Sequence, residues 1–209
     1  MRIDDILRSG PVVPVIVLDD AEAAVPLARA LLEGGVRVLE VTLRTAAGLE
    51  SIRRILAEVP DAIVGAGTVL TPDQLAEVER LDAAFAVSPG ATPSLLDAAA
   101  RSPVPLLPGS ATPSEVMGLL ERGYRYMKLF PAEQVGGVEL LKALASPLPE
   151  ARFCPTGGID ATKAETYLAL PNVVCVGGSW IVPRDAIKHG DWARITALSR
   201  EAVARLGKA

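Results

Sequence analysis

Lys128 lies in the stretch GYRYMKLFPAE (123–133), between Met127 and Leu129 and just ahead of Phe130 and Pro131. A lysine in such apolar company gives up most of its hydration, which proteins rarely allow without a use for the amine. A second charge is placed the same way: Glu40 stands inside the run VRVLEVTL (36–43). Burial disfavours an ammonium, whereas a nearby carboxylate favours it. A lysine amine that can lose its proton is a nucleophile toward carbonyl carbon and forms a Schiff base, whose iminium then draws electrons. A carboxylate within reach is suited to moving protons on and off the carbinolamine. Lys128 and Glu40 are therefore the candidate nucleophile and proton-transfer group. The alternative is a structural ion pair, although desolvation makes buried pairs poor stabilisers.

Elements that could bring these two together are written along the chain. Short apolar runs alternate with segments in which Ala and Leu recur at helical spacing. The strand candidates are 12–18, 36–43, 62–69, 83–90, 104–111, 124–131, 151–158 and 173–180. Helices such as AAVPLARALLEGG and TPDQLAEVERL lie between them. Thr71 and Pro72 suit the N-cap and first position of the second of these, and Gly34-Gly35 closes the first. Pro26 is compatible with that helix only in its first turn or at a kink. Continuous apolar strands suit a parallel sheet buried on both faces. Eight strand–helix units, preceded by a short N-terminal amphipathic helix, predict a single (β/α)₈ TIM barrel domain spanning residues 1–209. An open flavodoxin-like sheet is the alternative, and it normally needs only about five strands.

In a barrel the chemistry sits at the C-terminal ends of the strands. Those ends carry Glu40, Thr42 and Arg44, then Thr68, Ser88 and Pro89, Ser110, Lys128, Thr156-Gly157-Gly158 and Gly177-Gly178-Ser179. Glu40, Thr42 and Arg44 share one parity, as do Tyr126, Lys128 and Phe130, so each set can face the interior or its rim. Two Gly-Gly pairs, PTGGI and GGSW, on consecutive strand ends can turn backbone N–H groups toward a phosphate, with Ser179 adding a hydroxyl. At the far side of the mouth the Arg44 guanidinium can hold a carboxylate through two hydrogen bonds, or else make a rim salt bridge. His189, the single histidine, is in the late stretch IKHGDW and reads as a solvated loop residue; no clustered metal-ligand set is visible, and neither metal nor cofactor is expected. A carbonyl-seeking amine, a proton-moving acid, an anion clamp and a phosphate nest describe a metal-free aldolase acting on a phosphorylated keto acid.

Composition is compatible with this. Half of the 209 residues are hydrophobic and the formal net charge is -4. Basic residues are scattered, so nucleic acid is not an expected partner. The start MRIDDILRSG lacks a signal-peptide core, and VVPVIVL is too short to span a bilayer. No membrane association is expected. Cys154 and Cys175 have neither zinc-site spacing nor disulfide density, which fits a reduced cytoplasmic setting.

The stretches GGVRVLEVTLRT, VGAGTV, SPG, MKLFPAE, RFCPTGGI and VGGSW, in this order from about Arg2 to the final helix, resemble the 2-keto-3-deoxy-6-phosphogluconate (KDPG) aldolase / 4-hydroxy-2-oxoglutarate aldolase family. The resemblance implies a class I aldolase with a (β/α)₈ fold, typically a cytoplasmic homotrimer. It yields pyruvate and glyceraldehyde 3-phosphate. It implies Lys128 as the Schiff-base residue and Glu40 as the proton-transfer group, directly or through water. Arg44 and Thr68 would hold the pyruvate-side carboxylate, and Pro89 and Phe130 would pack around the methyl. Gly157, Gly158, Gly178 and Ser179 would take the phosphate, and Thr156 would bear on stereoselectivity. Ser110 stands where the resemblance implies a branched apolar residue, a departure expected to alter pocket polarity. The galactose-series epimer and 4-hydroxy-2-oxoglutarate are alternative substrates. A non-catalytic phosphate-binding or scaffold barrel is the alternative outside enzymes.

Overall fold

Apolar runs bounded by glycines and Thr-Pro pairs dictate the architecture. The computed structural model describes residues 1–207. Among these residues the strands are β1 (Val12–Ile16), β2 (Val38–Thr42), β3 (Ile63–Gly67), β4 (Phe85–Val87), β5 (Leu106–Leu107), β6 (Gly109–Ser110), β7 (Tyr126–Leu129), β8 (Arg152–Pro155) and β9 (Val176–Gly178). Every strand pair is parallel. They form a six-stranded section in the order β5-β4-β3-β2-β1-β9 and a three-stranded section β6-β7-β8. At one seam the chain itself passes from β5 to β6 through Pro108; at the other, isolated bridges pair Phe153 with Val173 and Thr156 with Gly177. The sheet curls as a TIM-barrel-like wall, with no continuous ladder at either seam, and it is not an open flavodoxin-like sheet.

The strands are shorter than the apolar runs that contain them, and the fifth is divided. Proline has no N–H to give a ladder. Leu106 and Leu107 pair with β4, whereas Gly109 and Ser110 pair with β7. Pro108 is thus where one stretch of chain changes partner. The register also corrects the reading of Ser110. Gly109 lies opposite Lys128 and Ser110 opposite Leu129, and the Ser110 hydroxyl donates to the Met127 sulfur at 3.9 Å. Side chains alternate across a strand, so this hydroxyl faces the helix layer with Met127 and does not alter the pocket.

Helices α1 (Ile3–Leu7), α2 (Ala24–Glu33), α3 (Gly48–Glu58), α4 (Pro72–Arg80), α5 (Pro93–Ala99), α6 (Pro113–Glu121), α7 (Gly137–Ala145), α8 (Ala161–Leu168), α9 (Arg184–His189) and α10 (Trp192–Leu206) complete the described residues. Three of them begin alike: Thr71, Thr92 and Thr112 accept from the N3 backbone N–H with proline following, and Glu115 completes a capping box. Pro26 is the third residue of α2, inside its first turn, after a 3₁₀ turn over Ala21–Ala23. At the end of α2, Gly35 takes φ +87, while Gly34 admits α10: a Cβ there would sit 2.9 Å from the Thr196 carbonyl oxygen. His189 ends α9 instead of occupying a loop, exposed, with Nδ1 2.8 Å from the Asp185 carbonyl oxygen. None of the described helices is long and apolar enough to cross a membrane.

The core has two layers. Outward-facing residues such as Leu39, Val41, Met127 and Phe153 pack beneath the helices. Inside the curl, Val13, Val38, Phe85, Val87, Leu107, Cys154 and Cys175 fill the N-terminal end, and Ile6 and Leu7 of α1 close it. The interior is therefore plugged from below.

Candidate active site

Above that apolar floor stand the two buried charges. Glu40 is in the middle of β2, in register with Val15 and Gly65; Lys128 is on β7 opposite Gly109 and Cys154. The Lys128 backbone N–H is fixed by the Pro108 carbonyl at 2.9 Å. Lys128 Nζ donates to Glu40 Oε1 at 3.2 Å across the interior, and both side chains are 3% exposed. The amine also lies 5.4 Å from the centre of the Phe130 ring, within cation–π range. Below, a hydrogen bond with Cys154 and complete burial push the Cys175 thiol well above its ordinary range, with Glu40 adding to the effect. That thiol thus stays uncharged beneath the pair. Such an amine–carboxylate pair can form and break a carbinolamine with proton exchange between its own two members.

Glu40 keeps its position because Gly67 has no side chain. A Cβ at Gly67 would lie 2.6 Å from Glu40 Cγ and 2.9 Å from Cδ. Neither group has room to retreat in a packed interior. Gly67→Ala is expected to cost about 1–3 kcal/mol by overpacking, and so to lower the thermal midpoint by about 2–12 °C for a chain of this size. An unchanged midpoint would mean that Glu40 is free to move.

The next level up forms the mouth, a cavity of about 480 Å³ whose walls include Val15, Arg44, Phe130, Thr156, Gly157, Gly158, Gly178 and Ser179. Arg44 Nε donates to Thr68 Oγ1 at 3.0 Å, and among the described residues no carboxylate pairs with its guanidinium. Thr68 has φ +59, a left-handed conformation that a β-branched residue adopts at a cost of about 1–3 kcal/mol. Strain held in place beside an unpaired guanidinium makes this side of the mouth suited to a carboxylate. Thr42 shares the parity of Glu40 and Arg44, but its hydroxyl is buried and donates to the Ile16 carbonyl at 2.9 Å. Ser88 is buried as well. Pro89 follows β4, with its carbonyl crowding Gly109; like Glu40, Thr68 and Lys128, it is not among the residues that line the cavity.

Opposite Arg44, Gly157 and Gly158 take φ +109 and +77, a turn that only glycine adopts without strain. Gly177 and Gly178 leave room for side chains packed against them: a Cβ would lie 3.0 Å from Thr156 Cβ at Gly177 and 2.9 Å from Trp180 Cη2 at Gly178, with other atoms of that ring closer still. The two Gly-Gly pairs and Ser179 thus share one wall. Sequence reasoning missed Arg184 there. It is exposed, makes no ion pair among the described residues, and lines the cavity with them. Arg184 lies beyond the strand end, at the start of α9, where attention to strand termini does not reach. Among the described residues no three His, Cys, Asp or Glu side chains gather as metal ligands.

Three comparisons bear on this arrangement. A family model for the KDPG and KHG aldolases matches residues 3–198. The 2-dehydro-3-deoxy-phosphogluconate aldolase of Dickeya dadantii is 59% identical over 201 residues, covering 96% of this chain and 94% of that protein. The KHG/KDPG aldolase of Escherichia coli K12 is 57% identical, with 96% and 94% covered. The crystal structure of KDPG aldolase from Legionella pneumophila superposes with a TM-score of 0.96 at 47% identity, covering 97% of this chain and 98% of that one. In that crystal pyruvate was captured at low pH as a covalent carbinolamine intermediate.

Proposed function

The chain belongs to the KDPG and KHG aldolase family, and on that premise we propose that it is a single-domain class I aldolase that cleaves 2-dehydro-3-deoxy-6-phosphogluconate to pyruvate and glyceraldehyde 3-phosphate. The observation that carries the reading is the Lys128–Glu40 contact at 3.2 Å, set above an apolar floor, with Arg44 and Phe130, which follow the same two strands, lining the mouth.

The reaction follows from what each group can do. The neutral Lys128 amine attacks the C2 ketone, and Glu40 passes a proton to the departing hydroxyl, directly or through water, so that the carbinolamine loses water and becomes a protonated imine. Glu40, now a carboxylate, takes the proton of the C4 hydroxyl, directly or through water, as the C3–C4 bond breaks. The bonding pair moves into the iminium, leaving an enamine, and glyceraldehyde 3-phosphate departs. Protonation of the enamine at C3 and addition of water at C2 release pyruvate and restore the amine. Arg44 and Thr68 hold the carboxylate, with Pro89 and Phe130 beside the pyruvyl methyl. Gly157, Gly158, Gly178 and Ser179 receive the phosphate, to which Arg184 adds a cation, and Thr156 bears on the C4 configuration. A cytoplasmic homotrimer is the form this reading implies.

The Escherichia coli relative carries both the KHG and KDPG names, which supports 4-hydroxy-2-oxoglutarate as a second substrate handled by the same amine. Steady-state comparison of KDPG with unphosphorylated 2-keto-3-deoxygluconate separates binding of the chain's two ends. A used phosphate nest should raise kcat/KM by about 10²-fold or more, since charge-assisted contacts are each equivalent to about 1.5–3 kcal/mol. Equal values for the two substrates would remove the phosphate from the reading.

A further inference from the structure

The stretch MKLFPAE ends in Glu133, for which the mechanism has no task. Glu133 opens a 3₁₀ turn (Glu133–Val135) just after Phe130-Pro131, and its carboxylate points away from the mouth, against α8. There one oxygen lies 2.6 Å from Lys163 Nζ, and the other accepts from the Tyr167 hydroxyl. Lys163 in turn donates to the Gly158 carbonyl at 3.1 Å. Tyr167 is almost fully buried, and its hydroxyl is admitted by Gly137, where a Cβ would lie only 2.6 Å from it.

This cluster completes a pattern along the glycine turn. The Thr156 carbonyl accepts from Ala132 N–H at 2.8 Å, the Gly157 carbonyl from Glu133 N–H at 3.2 Å, and the Gly158 carbonyl from Lys163 Nζ. Three successive carbonyls are thus drawn outward, away from the cavity. In a trans peptide the N–H points opposite to the C=O of the same unit. The N–H groups of Gly157, Gly158 and Ile159 are therefore turned the other way, and all three residues line the mouth. Among the described residues these N–H groups have no protein acceptor. Close packing holds the arrangement: a Cβ at Gly158 would lie 2.7 Å from Glu133 Cγ, and one at Gly157 3.3 Å from Pro131 Cα. The hydrogen bonds from Lys163 and Tyr167 also hold the Glu133 carboxyl below the usual carboxylate range, so it is a full acceptor at neutral pH.

We infer that Lys163, anchored by Glu133 and Tyr167, is a positioning residue that aims the amide donors of the Gly157-Gly158 turn into the mouth, so that a cluster behind the site sets the preference for phosphorylated substrates. The inference rests on the reading of that turn as the phosphate site.

Lys163→Met keeps the aliphatic stem and removes the donor to Gly158, while Glu133→Gln keeps a side-chain acceptor and removes the charge that holds Lys163. Both positions are partly exposed, and melting curves verify folding. Steady-state kinetics with KDPG and with 2-keto-3-deoxygluconate provide the test. For Lys163→Met the KM for KDPG should rise about tenfold, with kcat for KDPG and both constants for the unphosphorylated substrate within about twofold of the parent. Glu133→Gln should move in the same direction by a smaller factor. Lys163→Arg, which still reaches Gly158 with a cation, should recover most of the loss. An equal decline with both substrates would mean a general structural role and overturn the inference, as would unchanged KDPG kinetics in both variants. A parent enzyme that does not distinguish the two substrates would instead defeat the phosphate reading itself, independently of any variant.

Discussion

Replacing Lys128 with arginine should abolish KDPG cleavage, by about 10⁴-fold or more, because a guanidinium remains protonated at any working pH and has no lone pair for the C2 carbon. Arginine is the informative choice because it retains the positive charge beside Glu40. With alanine or methionine the 3.2 Å ion pair is lost and Glu40 is left buried without a counter-charge, at a cost of about 3–5 kcal/mol unless it takes up a proton. A dead Lys128→Ala enzyme can therefore be dead through misfolding, whereas a folded, dead Lys128→Arg enzyme has lost its nucleophile. If the pair were only structural, arginine would leave turnover nearly intact. Activity within about tenfold of the parent in a clean preparation would defeat the assignment, since loss of a covalent route cannot be that small.

Glu40→Gln is expected to give the second largest effect, a fall in kcat of about 10²–10⁴-fold, the usual range for removing a proton-transfer group. Glutamine has nearly the same volume and can still accept a hydrogen bond from Lys128, so the fold is expected to persist and the amine to remain in place. Each step that moves a proton slows: loss of water from the carbinolamine, protonation of the enamine and release of pyruvate. Single-turnover experiments should therefore show slow formation of the imine as well as slow cleavage. Unchanged kinetics would remove Glu40 from the mechanism. Gly67→Ala perturbs the same carboxylate by overpacking instead of by chemistry, since its Cβ would lie 2.6 Å from Glu40 Cγ. The two substitutions thus separate where the group is from what it is.

Much of this was legible before any coordinates, for identifiable physical reasons. An apolar run that tolerates a charge is conspicuous because burial of a charge is costly, so Lys128 and Glu40 could be picked out singly. Strand parity then placed Glu40 and Arg44 on one face, and both do face the interior or its rim. The reading of Ser110 as a residue that alters the pocket failed, because the strand changes partner at Pro108 and Gly109 takes the inward position. Strand ends were overextended because strands buried on both faces read as unbroken apolar runs, and nothing in such a run marks where pairing stops. Arg184 and the Glu133–Lys163 pair were out of reach for another reason. Glu133 and Lys163 belong to different strand–helix units and meet only through the fold. Their types are those of any solvated helix surface, and only the carbonyl at Gly158 gives the lysine a direction.

The central claim is that one buried lysine becomes covalently attached to substrate carbon. Incubating the protein with pyruvate, reducing with borohydride, digesting and mapping the added mass by mass spectrometry tests it directly. The account predicts a reduced pyruvate adduct on Lys128 alone, with none on exposed lysines such as Lys142 and Lys163. No adduct, or one spread over the surface lysines while Lys128 stays unmodified, would make the Lys128–Glu40 pair a structural ion pair and contradict the Schiff-base mechanism.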